Sequence, residues 1–318
     1  MKRLFSFMAL ALATTLAGAQ DLPQKTITLV VGFVAGGGAD TAARIIAKKV
    51  ADNLKQSVVI DNRAGAGGNL AHQYVAIAPA DGSVILLGSV GPLAVAPHMM
   101  KVGYDPLKDL APLTMGVTFP NVLVVHPGLG VKTLAEYVAL ARSKPGGLDY
   151  ASTGSGSASH LAGELFNARA GIEILHIPYK GGAQALQDLL SGRVAAYFSV
   201  PSTAVPHIET GKLVPLATTG LTRPSFMANV PTVAESGYPG FDATNWYAFV
   251  APGKTPAPIL ERWNRELVQA MNDPEVKNEL MKRGLIPSPT TREELARIIA
   301  AESATWEKVV RERKISAN

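Results

Sequence analysis

The feature that most constrains this chain is a long alternation of two periodicities. Ile27–Val34 (ITLVVGFV) is an unbroken apolar, β-branched run and predicts a buried strand. Asp40–Leu54 follows with Ala43, Ile46, Ala47, Val50 and Leu54 at helical spacing. The same switch recurs: strand over Ser57–Ile60, helix over Asn69–Ala78 ended by Pro79, strand over Ser83–Ser89. It resumes after Pro120 with a strand at Val122–His126 and a helix at Thr133–Ser143, where Thr133 and Glu136 have capping-box spacing. Strands at Leu148–Ser152, Glu173–Ile177, Val194–Val200 and Leu213–Thr219 then alternate with helices at Ser159–Ala170, Ala183–Leu190 and Pro201–Gly211. Strands that alternate with helices predict parallel βαβ units and an α/β fold.

The last third changes character. Beyond a strand at Trp246–Ala251 it reads as helical, over Pro258–Met271, Pro274–Arg283 and Arg292–Arg313. Two βα domains follow, with the chain passing between them twice, near Thr118–Asn121 and near Thr244–Trp246. Domain 1 comprises residues 20–120 and 246–318, and domain 2 residues 121–245, with the C-terminal helices returning to domain 1. A small-molecule site then falls in the cleft between them, at the carboxyl ends of the strands.

The first 19 residues read as a signal peptide. Lys2 and Arg3 precede an uncharged apolar stretch from Leu4 to Leu16, and Ala17-Gly18-Ala19 suits cleavage after Ala19. That stretch is shorter than the roughly 20 residues a membrane span needs. The expected compartment is the periplasm. The chain has no cysteine, which excludes disulfides, thiolate chemistry and a cysteine-linked lipid anchor. Its net charge of +5 is spread without a basic run or Arg-rich arm, so nucleic acid is not an expected partner. The six histidines lack metal-pair spacing, and neither metal nor cofactor is expected.

Candidate ligand contacts come from the strand-to-helix loops. Ala35-Gly36-Gly37-Gly38-Ala39-Asp40 offers backbone N–H groups at a helix start, with Asp40 able to cap it. The spacing is neither G-x-G-x-x-G nor a P-loop. In domain 2, Thr153-Gly154-Ser155-Gly156-Ser157-Ala158-Ser159-His160 supplies hydroxyls and amides, which can hold a carboxylate without a formal charge. His160 is either a first-turn residue making local hydrogen bonds or a ligand contact. Ser89 and Ser152, at strand ends, and Tyr179, in Ile177-Pro178-Tyr179-Lys180-Gly181-Gly182, complete the candidates together with Ser199. Gly65-Ala66-Gly67-Gly68-Asn69 reads as a tight structural turn, and Trp246-Tyr247 as either cleft or core aromatics. No catalytic residue is assigned. A Ser/His esterase around Ser157 and His160 lacks both G-x-S-x-G and an orienting carboxylate.

Several ordered blocks together resemble the Bug-type solute-binding proteins of tripartite tricarboxylate transporters. They are Gly36-Gly37 with Asp40 and Ala43-Arg44, Val58–Gly68 (VVIDNRAGAGG), Pro79-Ala80-Asp81-Gly82, Tyr104-Asp105-Pro106, His160–Phe166 (HLAGELF), His176–Gly181 (HIPYKG) and Val230–Gly237 (VPTVAESG). The resemblance implies a two-domain type II periplasmic-binding-protein fold that closes like a flytrap. It also implies a small carboxylate gripped by the loops Gly36–Asp40 and Thr153–Ser157 with bridging waters, no catalysis, and transient contact with integral membrane transporter subunits. The expected state is a monomer, and the alternative role is a ligand-sensing receptor. Two positions depart from the family pattern: Val34-Ala35 stands where Pro usually precedes the double glycine, and Ser199 follows Phe198 where many relatives carry Asp.

Overall fold

A computed structural model describes residues 22–313. The proposed signal peptide lies outside the described residues. β1 (Ile27–Val31), α1 (Gly38–Leu54), β2 (Val58–Asn62), α2 (Asn69–Ala76) and β3 (Val84–Ser89) form two successive βα units, and β1 pairs in parallel with both β2 and β3. A five-residue π-helical turn, Gly91–Val95, and the short α3 (Ala96–Met99) lead into β4 (Leu110–Pro120). β4 is an eleven-residue strand that the periodicity does not announce, because Pro112, Thr114 and Gly116 break its apolar run.

The second sheet begins one residue later. β5 (Val122–Val125) is followed by α4 (Leu134–Ser143), β6 (Asp149–Ser152), α5 (Ala158–Ala170), β7 (Leu175–Pro178), α6 (Gly182–Leu190), β8 (Ala196–Ser199), α7 (Pro201–Glu209) and β9 (Val214–Thr218). The chain then returns through β10 (Thr244–Pro252) to α8 (Ala257–Asn272), α9 (Pro274–Met281), the short β11 (Ile286–Pro287) and α10 (Arg292–Arg313). Strand order is β11-β4-β10-β3-β1-β2 in the first sheet and β7-β6-β8-β5-β9 in the second. Neither sheet is all parallel. β10 runs antiparallel to both β3 and β4, and β5 antiparallel to both β8 and β9. β5 and β10 are the strands by which the chain enters each lobe after a crossing, and the short β11 also runs antiparallel to β4.

Each sheet is buried on both faces. Under α1, α8 and α9 lie Ile27, Leu29, Ile85, Leu87 and the fully buried Trp263, whose indole N–H donates to the Gly82 carbonyl at 3.0 Å. The opposite face packs Val30, Leu86 and Val250 against α2 and α10. Trp246 and Tyr247 resolve as core residues on opposite faces of that sheet, as adjacent strand positions must. In the second lobe α4 and α5 cover one face and α6 and α7 the other. Each fully buried aliphatic side chain contributes about 1.5–3 kcal/mol, so both lobes have cores of their own.

The two crossings run side by side. Thr244 and Asn245 pair with Pro120 and Phe119. The Asn245 side-chain amide donates to the Asn121 side chain at 3.3 Å, and the Asn121 backbone N–H donates to the Thr219 hydroxyl at 2.9 Å. Both passages between the lobes thus run through one pair of hydrogen-bonded strands.

Candidate ligand-binding site

The first lip of the cleft is the turn from β1 into α1. Asp40 lies in the first turn of α1 and does not cap it, since the cap position is Gly37 and has no side-chain bond; its carboxylate faces back into its own lobe. It accepts hydrogen bonds from the Gly36 N–H (3.0 Å), the Arg44 guanidinium (2.8 Å) and the Asn62 amide (3.0 Å). Burial would raise this carboxyl, but those bonds outweigh it and hold it below the usual 3.8. In this structure, then, Asp40 shapes the lip. Gly36 is exposed and its N–H is spent on Asp40, whereas Gly37 and Gly38 are buried at the helix start. Helix geometry leaves the N–H groups of Gly38 and Ala39 without an intrahelical acceptor.

Across the cleft, two further helices begin at the same place. A Cβ built on Gly37 would stand 3.7 Å from the backbone nitrogen of Gly182, the first residue of α6. One built on Gly38 would stand 3.0 Å from the Ser202 hydroxyl in the first turn of α7. One built on Gly182 would stand 3.0 Å from the Tyr197 hydroxyl and 3.6 Å from that of Thr203. The positive ends of α1, α6 and α7 thus converge. The hydroxyls of Tyr197, Ser202 and Thr203 are buried around them with no hydrogen-bond partner, and that of Ser89, likewise without one, lies at the end of β3 cross-strand from Tyr247. Burial raises the Tyr197 phenol, only partly opposed by the nearby Ser199, so it stays protonated and able to donate. Buried hydroxyls without partners are uncommon and costly. Convergent unpaired donors at helix N-termini fit an oxyanion.

The loop Thr153–Ser157 forms a second line of contact. A Cβ on Gly67, held at φ +62°, would collide with the Ser155 carbonyl and stand 3.1 Å from the Ser157 backbone nitrogen. A Cβ on Gly91 would collide with the Gly156 carbonyl and stand 3.0 Å from the Ser157 Cα. The backbones therefore touch, and the Val34 N–H donates to the Lys180 carbonyl across the cleft at 3.4 Å. The lobes are closed on each other. The turn at Gly65–Asn69, expected to be only structural, is one half of this contact.

Within that loop most hydroxyls serve the loop itself. Thr153 is held through its N–H (2.8 Å) and hydroxyl (3.1 Å) by Ser159. Ser152 accepts from the Gly154 N–H at 3.0 Å and lies 2.6 Å from His176 Nε2. Ser157 caps α5 by accepting from the His160 backbone N–H at 3.4 Å. The His160 ring accepts from the Gly156 N–H at 3.2 Å. Ser157 and the His160 ring therefore make no nucleophile–base pair. Ser155 is half-buried with its carbonyl toward Gly67. Tyr179 donates to Asp188 on α6 at 2.8 Å, and Ser199 donates to the Val200 carbonyl at 3.1 Å. Of the sequence candidates, Gly37 and Gly38 lie at the three helix starts, and Ser89 at the end of β3 beside β10. Ser152, Thr153, Ser155, Ser157 and His160 gather in the second line of contact, and Asp40, Tyr179 and Ser199 are bonded elsewhere. Tyr197, Ser202 and Thr203 were not legible as candidates. The signal available was Pro201 followed by two hydroxyl residues in the first turn of a helix. Among the described residues no group of three or more His, Asp or Glu could hold a metal.

Two α/β lobes, joined by a paired double crossing and closed over buried unpaired donors, define a two-lobed binding protein. The chain belongs to the tripartite tricarboxylate transporter receptor family, whose sequence profile matches residues 42–315. It is 37% identical to Protein BugT of Bordetella pertussis over 318 residues, covering 98% of each chain. Among solved structures, the R. palustris protein Rpa4515 with adipate is 36% identical with a TM-score of 0.89, covering 93% of this chain and 99% of that one. MatC from Rhodopseudomonas palustris, with bound malate, is 32% identical with a TM-score of 0.87, covering 91% and 99%.

Proposed function

We propose that this chain is an extracytoplasmic solute-binding protein that captures a small carboxylate between its lobes and delivers it to membrane subunits of a tripartite tricarboxylate-type transporter. The observation that carries this reading is the set of unpaired buried hydroxyls of Tyr197, Ser202 and Thr203 at the converging starts of α1, α6 and α7. Those donors suit a carboxylate because they offer hydrogen bonds where no cation stands. Solved relatives hold adipate and malate. The loops Gly36–Gly38 and Thr153–Ser157 form the two lips, and closure brings their donors together. Periplasmic residence follows from the proposed leader. Among the described residues no helix is long and apolar enough to cross a membrane.

A thermal-shift screen of mono-, di- and tricarboxylates and acidic amino acids tests the reading. A ligand at 100 times its dissociation constant adds about 2.7 kcal/mol, and at least one carboxylate is expected to reach that. A screen in which none stabilises the protein sinks the proposal.

A further inference from the structure

Two imidazoles lie beneath the Thr153–Ser157 loop, stacked with centroids 3.9 Å apart and planes 19° from parallel. His160 is buried on α5, and His176 is half-buried on β7. An N–H can be accepted only by an unprotonated ring nitrogen, so the bond from Gly156 requires a neutral His160 with its proton on Nε2. The Ser152 hydroxyl, which accepts the Gly154 N–H, is hydrogen-bonded at 2.6 Å to His176 Nε2, and with one donor and two acceptor sites it suits either neutral tautomer of that ring. Each ring thus holds one amide of the loop, His160 directly and His176 through Ser152. These are the glycines that face Gly67 and Gly91 across the cleft.

We propose that His160 and His176 are positioning residues, a neutral stacked pair that holds the second lip in its ligand-gripping shape and releases it on taking up a proton. This rests on the reading of that loop as part of the ligand cleft. A proton on His160 Nδ1 turns an acceptor toward Gly156 into a second donor. The ionisable groups facing the pair do not offset such a charge. Tyr150 lies 5.1 Å from the His176 ring, and its hydroxyl is given to Glu164 at 2.7 Å and the His160 carbonyl at 3.2 Å. Across the cleft stand Gly67, Asn69, Gly91, Ala96 and Met100, none of them ionisable. Burial accordingly lowers His160 to about 4, and burial followed by the charge of His160 lowers His176 to about 3. Both lie below the ordinary 6.5. The closed arrangement is therefore fully favoured above pH 6.5 and is progressively lost as pH falls from there toward 4.

Nitrogen-15 histidine spectra of the full chain at pH 7.5 read the pair without any ligand. The expected result is two neutral rings with Nε2–H on His160, and Nδ1–H on His160 overturns the proposal. Calorimetric titration with adipate at pH 7.5 and 5.5 compares wild type with His160→Asn and His160→Leu. Asparagine offers an acceptor to Gly156 but takes no proton, and it reports any titration of adipate itself. Wild-type affinity is expected to fall about tenfold more than that of His160→Asn over this interval, as one coupled proton allows. His160→Asn should bind within about threefold of wild type at pH 7.5, and His160→Leu about tenfold more weakly, since only the latter strands the Gly156 N–H. Equal pH dependence in wild type and His160→Asn overturns the proposal. A wild type that binds no carboxylate counts against the carboxylate reading instead. Amide exchange then decides the pair: faster exchange at Gly156 in His160→Leu than in His160→Asn supports it, and equal exchange overturns it.

Discussion

The two lips of the cleft are built from different chemistry. The first is fastened by a charge: Asp40 ties the Gly36 N–H, Arg44 and Asn62 into one cluster. The second is fastened by neutral groups, the hydroxyls of Ser152, Ser157 and Ser159 and the rings of His160 and His176. A carboxylate next to a ligand anion would repel it, so the first lip turns its charge inward and presents backbone. The second lip has no charge to hide; its hydroxyls and rings hold the loop from within while its backbone meets the other lobe. The difference teaches that both lips reach one end, uncharged donors facing the cleft, by routes that respond differently to substitution and to acid.

The largest effect is expected where the lips meet. Gly91 has no positive φ, so Gly91→Val puts no left-handed strain on its own turn, but its side chain would enter the space of the Gly156 carbonyl. Closure should fail. If the closed fraction falls a hundredfold, apparent affinity falls by the same factor. Small-angle scattering should then show no shrinkage when the ligand identified by the carboxylate screen is added. Ligand-driven compaction in Gly91→Val equal to wild type would break the closed-lip comparison. Next in size is Tyr197→Phe. Removing one hydroxyl donor from a charged acceptor costs about 1.5–3 kcal/mol, or roughly ten- to a hundredfold in affinity. Because the nearest side chain to that hydroxyl is Ser199, whose own hydroxyl already donates to the Val200 carbonyl, stability without ligand should change little. A loss of stability with unchanged binding would assign Tyr197 to the core.

How much of this was legible in the sequence depends on the range of the interaction. The βα alternation, the capping box at Thr133 and Glu136, and the glycine loops at helix starts are local, and the folded chain shows them. The Thr133 hydroxyl accepts from the Glu136 N–H and the Glu136 carboxylate accepts from the Thr133 N–H, both at 3.2 Å. β4 was not legible, because its apolar positions are interrupted and its partner β10 lies more than 120 residues further on. Tyr197, Ser202 and Thr203 were missed for the same reason. Nothing near them in sequence reveals that α1 of the other lobe begins beside them. Asp40 shows the converse limit. Its place in a glycine loop suggested ligand contact, and only its bond to Asn62, 22 residues away, shows which way the carboxylate points.

Acid should separate the lips in order. Asp40 is held below its usual 3.8, so its contribution is present above that value and is lost as pH falls through its lowered, folded value. The imidazole pair loses its contribution earlier, between pH 6.5 and about 4. Amide protection at Gly154 and Gly156 should therefore fall by pH 5 while that at Gly36 persists. Simultaneous loss at both lips would show that one event, rather than two local ones, governs the cleft. Asp40→Asn sharpens the same point. It removes the charge beside the half-exposed Arg44 and sets an amide NH2 among the donors of Gly36, Arg44 and Asn62, so the expected loss of stability is about 1–3 kcal/mol, narrowing as pH falls through the lowered, folded value of Asp40.

The smallest effect concerns Ser157, where the cap and the ligand compete for one hydroxyl. In the closed structure this oxygen accepts from the His160 backbone N–H at a long 3.4 Å and lies 3.2 Å from the Ser159 hydroxyl. Replacing a serine cap by alanine typically costs about 1 kcal/mol. The long distance places Ser157→Ala near the lower end, about 0.5 kcal/mol. If the hydroxyl serves only as a cap, melting temperature falls slightly and affinity moves less than about threefold. If it turns to donate to a bound carboxylate, affinity falls about tenfold or more, because the acceptor it leaves is charged. Calorimetry and thermal melts on the same sample of Ser157→Ala separate the two. A tenfold loss of affinity would extend the ligand site from the three helix starts to the second lip. Unchanged affinity would confine the site to α1, α6 and α7 and leave the second lip as the latch that keeps the lobes together.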